Sequence, residues 1–169
     1  MYEVLDPQKT TEFFLARQGW FSRSYELTDN IYGYGNITYQ GFPGREAIVT
    51  TATGTWTLKL GRIFSRTVLI IDNDGRIIST ATRAIFSRKT VLIMQSGFQG
   101  EFYRPSIWTR EYIWESGEYG RIMHIYSNPF SLMDIIGIGQ STAAPELIPL
   151  LIFLGSYLII LRRRRKAAH

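Results

Sequence analysis

Short runs of alternating apolar and polar residues fill most of the chain, from Ser22 to about Ile138. Trp56, Leu58 and Leu60, for example, share one face of such a run, with threonine and lysine on the other. This period of two predicts half-buried β-strands, and the glycine, asparagine and aspartate between the runs predict turns. Eleven segments have this character: 25–28, 35–40, 45–53, 55–60, 66–72, 76–84, 89–95, 101–104, 107–115, 119–126 and 131–138. Strands with one apolar face bury it only by closing into a barrel or by packing on a second layer.

Residues 1–19 carry a different signal, which is typical of a short helix. Asp6 is suited to an N-cap, Pro7 to the first helical position, and Gly19 to a C-terminal stop. We therefore predict an N-terminal helix over this range that docks on the sheet as a brace.

The C-terminal segment is apolar from Leu147 to Leu161 and then turns abruptly basic, from Arg162 to Lys166. As a helix its apolar part is about 22 Å long, whereas the hydrocarbon core of a bilayer needs about 20 apolar residues, or roughly 30 Å. It also contains Pro149 and Gly155. A membrane span and a helix buried inside protein both remain open, and the short length favours the buried helix.

A buried helix needs a sleeve, and a closed sheet of many strands supplies one. We therefore predict a mainly β protein, a closed antiparallel barrel over 20–143 around a central hydrophobic helix over 144–166. The basic residues then mark where the helix emerges into water, at the end that favours cations.

The net charge of +5 comes from 19 Lys and Arg against 14 Asp and Glu. Removing Arg162 to Lys166 leaves 14 of each, so residues 1–161 are neutral and the tail carries the excess. We therefore do not expect nucleic acid as a partner, because proteins that bind it carry a basic face on the folded body. The absence of cysteine excludes disulfides and thiolate sites and agrees with a cytoplasmic location.

A short motif recurs among the predicted strands. Phe-Ser-Arg occurs at 21–23, 64–66 and 86–88, and Phe-Pro-Gly-Arg at 42–45 fills the remaining interval, so the phenylalanines lie 21, 22 and 22 residues apart. One interpretation is a favoured turn that leads into a strand. The other is a cationic ligand site on one rim of the barrel, formed by Arg23, Arg66, Arg88 and Lys89.

The runs 20–29, 63–75 and 85–93, followed by an apolar C-terminal helix, resemble the tubby C-terminal-like superfamily, in particular its LURP-one-related and phospholipid scramblase-like branch. The similarity covers roughly residues 20–161. It implies a twelve-stranded antiparallel barrel around a hydrophobic helix, and a function in phosphoinositide binding or lipid redistribution. The missing cysteine cluster counts against lipid scrambling.

Catalytic and metal-binding patterns are weak in this sequence. His124 has no other internal histidine to share a metal, and no Gly-x-Ser-x-Gly elbow accompanies it. Residues 72–75 open like a calcium loop but lack its later ligands, so a turn is favoured. Glu111 and Glu115 fit a solvated strand face. We therefore predict no enzyme, no cofactor and no metal.

Aromatic residues concentrate in one region, where core packing and a partner or membrane-interface patch are both open interpretations. The members are Tyr103, Trp108, Tyr112, Trp114, Tyr119 and Tyr126.

These observations lead to the hypothesis of a non-enzymatic binding or scaffolding module at the inner face of a membrane, with an anionic phospholipid or a protein as its partner. The predicted contacts to anionic head groups are the tail residues Arg162, Arg163, Arg164, Arg165 and Lys166. The alternative is a single-pass, membrane-anchored accessory subunit of a larger complex, with residues 147–161 as the anchor.

Overall fold

A computed structural model describes residues 1–41, 45–61, 66–140 and 143–167. Within them the chain forms twelve strands and one helix. The strands are β1 (Glu12–Arg17), β2 (Ser24–Thr28), β3 (Gly33–Gln40), β4 (Glu46–Thr51), β5 (Thr55–Leu60), β6 (Thr67–Ile71), β7 (Ile77–Arg83), β8 (Thr90–Met94), β9 (Gln99–Tyr103), β10 (Glu111–Ser116), β11 (Gly120–Tyr126) and β12 (Met133–Ile138), and the helix is α1 (Leu147–Ala167).

The twelve strands form a closed antiparallel barrel in which each strand pairs with its neighbour in sequence. Closure comes from β1 and β12, where Phe13 lies opposite Ile136. Alternate residues point inward, as the period of two predicts. The predicted fold class, a mainly β closed barrel with a C-terminal helix, is confirmed, and each of the eleven predicted segments overlaps a strand.

Helix α1 fills the barrel. Nearly every side chain from Ile148 to Leu161 is buried, and Ile152, Phe153 and Leu154 have no exposed surface at all. The helix is apolar on all sides because strands surround it on all sides. The side chains that the anchored-subunit alternative places in lipid thus face protein. In the described part of the chain, no helix combines the length and the apolar character that crossing a bilayer requires.

Gly155 sets how closely the helix approaches the wall. A Cβ atom at this position would lie 2.7 Å from Ile125 Cδ1 and 2.9 Å from Trp114 Nε1. The same indole nitrogen donates a hydrogen bond of 2.7 Å to the carbonyl oxygen of Leu151, one turn earlier. The Trp114 side chain therefore satisfies its own polar atom and fixes the register of the helix inside the barrel.

The N-terminal helix predicted over residues 1–19 is wrong, because Glu12–Arg17 is β1, the strand that closes the barrel. Phe13 and Leu15 alternate inward there and are buried. The Asp6 carboxylate does accept the backbone N–H of Gln8, as a cap would, but it caps an isolated turn. A ladder with two neighbouring strands outweighs local helix signals in so short a segment.

The meander places two kinds of connection at opposite ends of the barrel. We call the end where α1 emerges the exit rim; its connections are 18–23, 41–45, 61–66, 84–89, 104–110 and 127–132. The opposite end, the far rim, has the connections 29–32, 52–54, 72–76, 95–98, 117–119 and 139–146.

Candidate anion-binding site at the exit rim

A cavity of about 610 Å³ opens at the exit rim beside the end of α1. Its volume lies in the range typical of small-molecule sites. Six of its eight lining residues are cations, and none of these described residues is acidic; they are Arg83, Arg88, Arg104, Arg162, Arg165 and Lys166, with Ile107 and Tyr112. We call these six cations the cationic basin.

Two smaller hollows adjoin the basin and share arginines with it. One brings Arg66 next to Arg83 and Arg165, and the other brings Arg110 and Arg163 next to Lys166. No Asp or Glu lies among the described residues that line either hollow. Positive charge therefore continues beyond the cavity around part of the rim.

Strand ends and the helix end together position the basin. Arg83 is the last residue of β7, and Arg104 directly follows β9. The helix supplies Arg162, Arg165 and Lys166, which lie three and four positions apart and so project toward the same side. The side that they share is the one occupied by β7, β8 and β9.

The side chain of Arg162, near the end of α1, is bonded to the barrel wall. Its Nη2 donates to the carbonyl oxygen of Arg88 at 3.0 Å and to Thr90 Oγ1 at 3.3 Å. Its guanidinium also lies 5.5 Å from the ring centroid of Phe102 and 5.8 Å from that of Tyr112. These contacts position a partly buried cation without supplying a carboxylate to balance it.

The electrostatics of Arg162 reflect that lack of balance. Burial lowers the pKa of its guanidinium, and the positive charges of Arg83, Arg165 and Arg104 lower that pKa further, against an opposing contribution from Tyr112. Burial and then the charges of Arg83 and Arg66 lower the pKa of Arg165 as well. Mutual repulsion of this kind is relieved when an anion enters the site.

The other two arginines of the tail point elsewhere. Arg163 donates from Nη2 to Ser127 Oγ at 2.7 Å, and that hydroxyl donates to Asp134 Oδ1 at 2.7 Å. Burial raises the pKa of Asp134, while the Ser127 hydrogen bond and the charge of Arg163 oppose the rise. The Arg164 guanidinium lies 6.0 Å from the ring centroid of Tyr39. Arg163 and Arg164 therefore fasten the helix end to the wall rather than to the basin.

The four rim residues predicted from the repeat all lie on exit-rim connections, but only Arg66 and Arg88 line the basin or its hollows. Arg23 donates to the carbonyl oxygen of Gly41 at 3.1 Å and lines none of them. Lys89 forms ion pairs with two acids of the outer wall, Glu101 at 2.8 Å and Glu115 at 3.8 Å. Residues 42–44 and 62–65, which hold parts of the repeat, lie outside the described residues.

Sequence reasoning missed Arg83, Arg104 and Arg110, because none of them belongs to the repeat. Their shared signal is position, since each lies where a connection of the exit rim begins or ends. Strand order alone would have found them, because every second connection of an antiparallel meander reaches the same end of the barrel.

Charge is separated along the barrel axis, which the neutral total of residues 1–161 concealed. In the sequence, the six exit-rim connections contain no Asp or Glu. The far-rim connections contain five acids and a single base, Arg76; the acids are Asp29, Asp72, Asp74, Glu118 and Glu146. The tail carries the net excess of charge, but the neutral remainder is itself divided into a basic end and an acidic end.

The remaining candidate sites are ordinary surface features. His124 is exposed on β11, and the described residues contain no group of three or more side chains able to hold a metal. Asp72 accepts the backbone N–H groups of Asp74 and Arg76 in a turn. Glu115 accepts from the Tyr103 hydroxyl at 3.0 Å.

The aromatic cluster is divided between the core and the surface. Trp114 and Tyr112 are buried in the core, whereas Trp108 is 89% exposed at the exit rim.

Comparisons with known protein families, with curated proteins and with solved structures find no match for this chain. The tubby-like resemblance therefore stays a prediction, although the barrel and central helix that it implied are present.

Proposed function

We propose that this protein binds the phosphate groups of anionic lipid head groups at a membrane surface, through the cationic basin. The observation that carries this proposal is the convergence of six cations, from the end of β7, two strand connections and α1, on one cavity whose described lining has no carboxylate. Like charges gathered around one cavity repel one another and raise the energy of the free protein, and an anionic ligand lowers it.

The chemistry of the basin suits phosphate. Arginine presents a planar fork of donors that matches phosphate oxygens in a bidentate manner, and such charge-assisted bonds are about twice as strong as neutral ones. Five of the six basin cations are arginines, and the sixth is Lys166; the arginines are Arg83, Arg88, Arg104, Arg162 and Arg165. Several guanidinium groups around one cavity favour a ligand with more than one anionic oxygen.

The tail contributes to this function in two ways. Arg165 and Lys166 line the basin and are the tail residues expected to contact the head group. Arg162 and Arg163 are hydrogen-bonded to the wall, so they position the helix end. Removing the whole tail would therefore disturb packing as well as charge, and point substitutions test the proposal better.

The test compares reversal of charge at the two rims. Arg88 and Lys166 are exposed, and neither side chain donates a hydrogen bond to another described residue, so the double variant Arg88→Glu/Lys166→Glu should fold normally. Binding to vesicles of phosphatidylcholine and phosphatidylserine is measured by co-sedimentation. At about 1 kcal/mol for each basic residue near the surface, the loss of two predicts binding at least about 30-fold weaker.

The matched control is Arg76→Glu, which reverses the one base of the far-rim connections and should leave vesicle binding unchanged. Calorimetry with inositol hexakisphosphate, a free phosphate probe, separates the two sources of phosphate. Binding of this probe without binding of vesicles would assign the basin to a free metabolite. Equal vesicle binding by the wild type and the basin variant would end the proposal.

A further inference from the structure

Large apolar side chains stand exposed on the connections that surround the basin. They form two-residue tips on three connections and a single tip on a fourth: Trp20 and Phe21, Ile85 and Phe86, Ile107 and Trp108, and Phe130. We call these seven residues the apolar crown. Single exposed apolar residues are common on proteins, and one far-rim connection carries Ile31 and Tyr32, but the concentration of seven such residues on four exit-rim connections indicates an interaction surface.

An arginine at the base of each paired tip holds the connection in place. Arg17 Nε donates to the carbonyl oxygen of Ser22 at 2.9 Å, and Arg83 Nε donates to that of Ser87 at 3.1 Å. Arg104 Nη2 donates to the carbonyl oxygen of Ile107 at 2.9 Å. The same kind of arginine–carbonyl hydrogen bond thus holds all three connections. Their tips are ordered before a partner binds, which lowers the entropic cost of binding.

The backbone at Phe86 shows that one tip is maintained at a cost. Its φ is 62°, in the left-handed region, and its side chain is 105% exposed. A bulky residue in this region is a genuine outlier, and such strain is concentrated at functional sites. Packing inside the protein does not explain why phenylalanine occupies this position, because its ring is exposed to solvent.

We infer that the apolar crown inserts into the interfacial layer of an anionic bilayer, so that the barrel stands end-on with the exit rim facing the membrane. This inference rests on the proposed function of the basin. Tryptophan and phenylalanine favour the membrane interface, and the cations between the tips lie where the phosphates of that interface are. The acidic connections of the far rim point away from the anionic surface in this orientation.

Charge complementarity selects a bilayer as the occupant of this surface. The exit-rim connections carry no acid in the sequence, so every charged residue on them is basic. A surface that combines basic connections with separated apolar tips matches a layer of anionic head groups over a hydrocarbon interior.

The test uses single substitutions in the crown and a matched one at the other end. Trp108→Ala and Phe130→Ala each remove a tip that is 89% exposed, and Ile31→Ala removes a far-rim residue that is 78% exposed. Each crown variant should bind phosphatidylcholine and phosphatidylserine vesicles about tenfold more weakly, the loss expected for one large apolar side chain. Ile31→Ala should bind as the wild type does.

Two further measurements keep this result separate from the proposed function. All three variants should bind inositol hexakisphosphate as the wild type does, because the basin is unchanged. Crown variants that bind vesicles as tightly as the wild type overturn the inserted crown and leave the basin proposal standing. A wild type that binds neither vesicles nor the phosphate probe overturns both.

Discussion

Both rims of this barrel connect antiparallel strands, but their connections differ in length, in turn residues and in charge. Far-rim hairpin connections have three to five residues, while exit-rim connections have five to seven. Far-rim turns bind their own backbone N–H groups, as at Asp72, and have glycine or asparagine at positive φ, as at Gly75, Gly97 and Asn30. The exit rim also has glycines at positive φ, but it places the bulky Phe86 there as well and gathers cations around a cavity.

This difference separates stability from function within one fold. Short turns with suitable residues stabilise a hairpin, so folding alone explains the residues of the far-rim turns. Exposed aromatics, repelling arginines and a strained backbone each cost stability, and all three occur together at the exit rim. Substitutions matched between the two rims therefore measure the contrast directly.

The largest effect on stability is expected at the glycine that seats the helix. Gly155→Ala adds a Cβ atom that meets Ile125 and Trp114 at under 3 Å, and overpacking of this kind costs about 1–3 kcal/mol. Gly54→Ala at the far rim meets no atom within 4 Å and should stay within about 0.5 kcal/mol of the wild type. Urea unfolding of both variants checks this. Equal stability would mean that the helix does not pack against the wall as described.

A pair of glycine exchanges should have opposite signs at the two rims. Phe86→Gly relieves a left-handed φ and should gain about 0.5–1 kcal/mol, while weakening vesicle binding. Gly75→Ala introduces the same strain at the far rim and should lose about 1 kcal/mol, with vesicle binding unchanged. Thermal unfolding and co-sedimentation measure the two properties. A Phe86→Gly variant that is less stable, or that binds equally well, would contradict the contrast.

The smallest effect is a dependence on pH at the exit rim. Burial raises the pKa of Asp134 above its usual 3.8, so the folded state favours the protonated carboxyl. Its contribution to stability is therefore complete below about pH 3.8 and is lost as the pH rises through the raised pKa.

Asp134→Asn keeps an acceptor for the Ser127 hydroxyl and has no charge to bury. It should be more stable than the wild type at neutral pH, by less than about 1 kcal/mol, with the difference vanishing toward pH 3.8. Chemical unfolding across this range provides the measurement. A variant less stable than the wild type at neutral pH would show that the charge pair with Arg163 outweighs burial.

The alternation of apolar and polar residues predicts the barrel well, because all the predicted strands share the property of one apolar face. The apolar segment from Leu147 to Leu161 is too short to span a bilayer, and burial inside a barrel of the eleven predicted strands explained its apolar character. The twelfth strand was missed because Asp6 and Pro7 resemble a helix start, and only the pairing of Phe13 with Ile136 decides the outcome.

The candidate site was less accessible to sequence reasoning. The repeat identified Arg66 and Arg88, but it also included Lys89, whose side chain is neutralised by Glu101 across the strand pair. Arg83 and Arg104 become neighbours only when every second connection is assigned to the same end of the barrel. A total charge hides a separation of charge that strand order reveals.

Spin labels at the two rims distinguish whether the exit rim faces an anionic membrane. The chain has no cysteine, so Ile85→Cys and Asp74→Cys each create a unique site for a spin label. On vesicles of phosphatidylcholine and phosphatidylserine, collisions with oxygen and with a water-soluble nickel chelate report whether each label lies in lipid or in water. We expect the label at residue 85 to lie in lipid and the label at residue 74 to lie in water. Water at both positions, or lipid at residue 74, would rule out this orientation of the barrel.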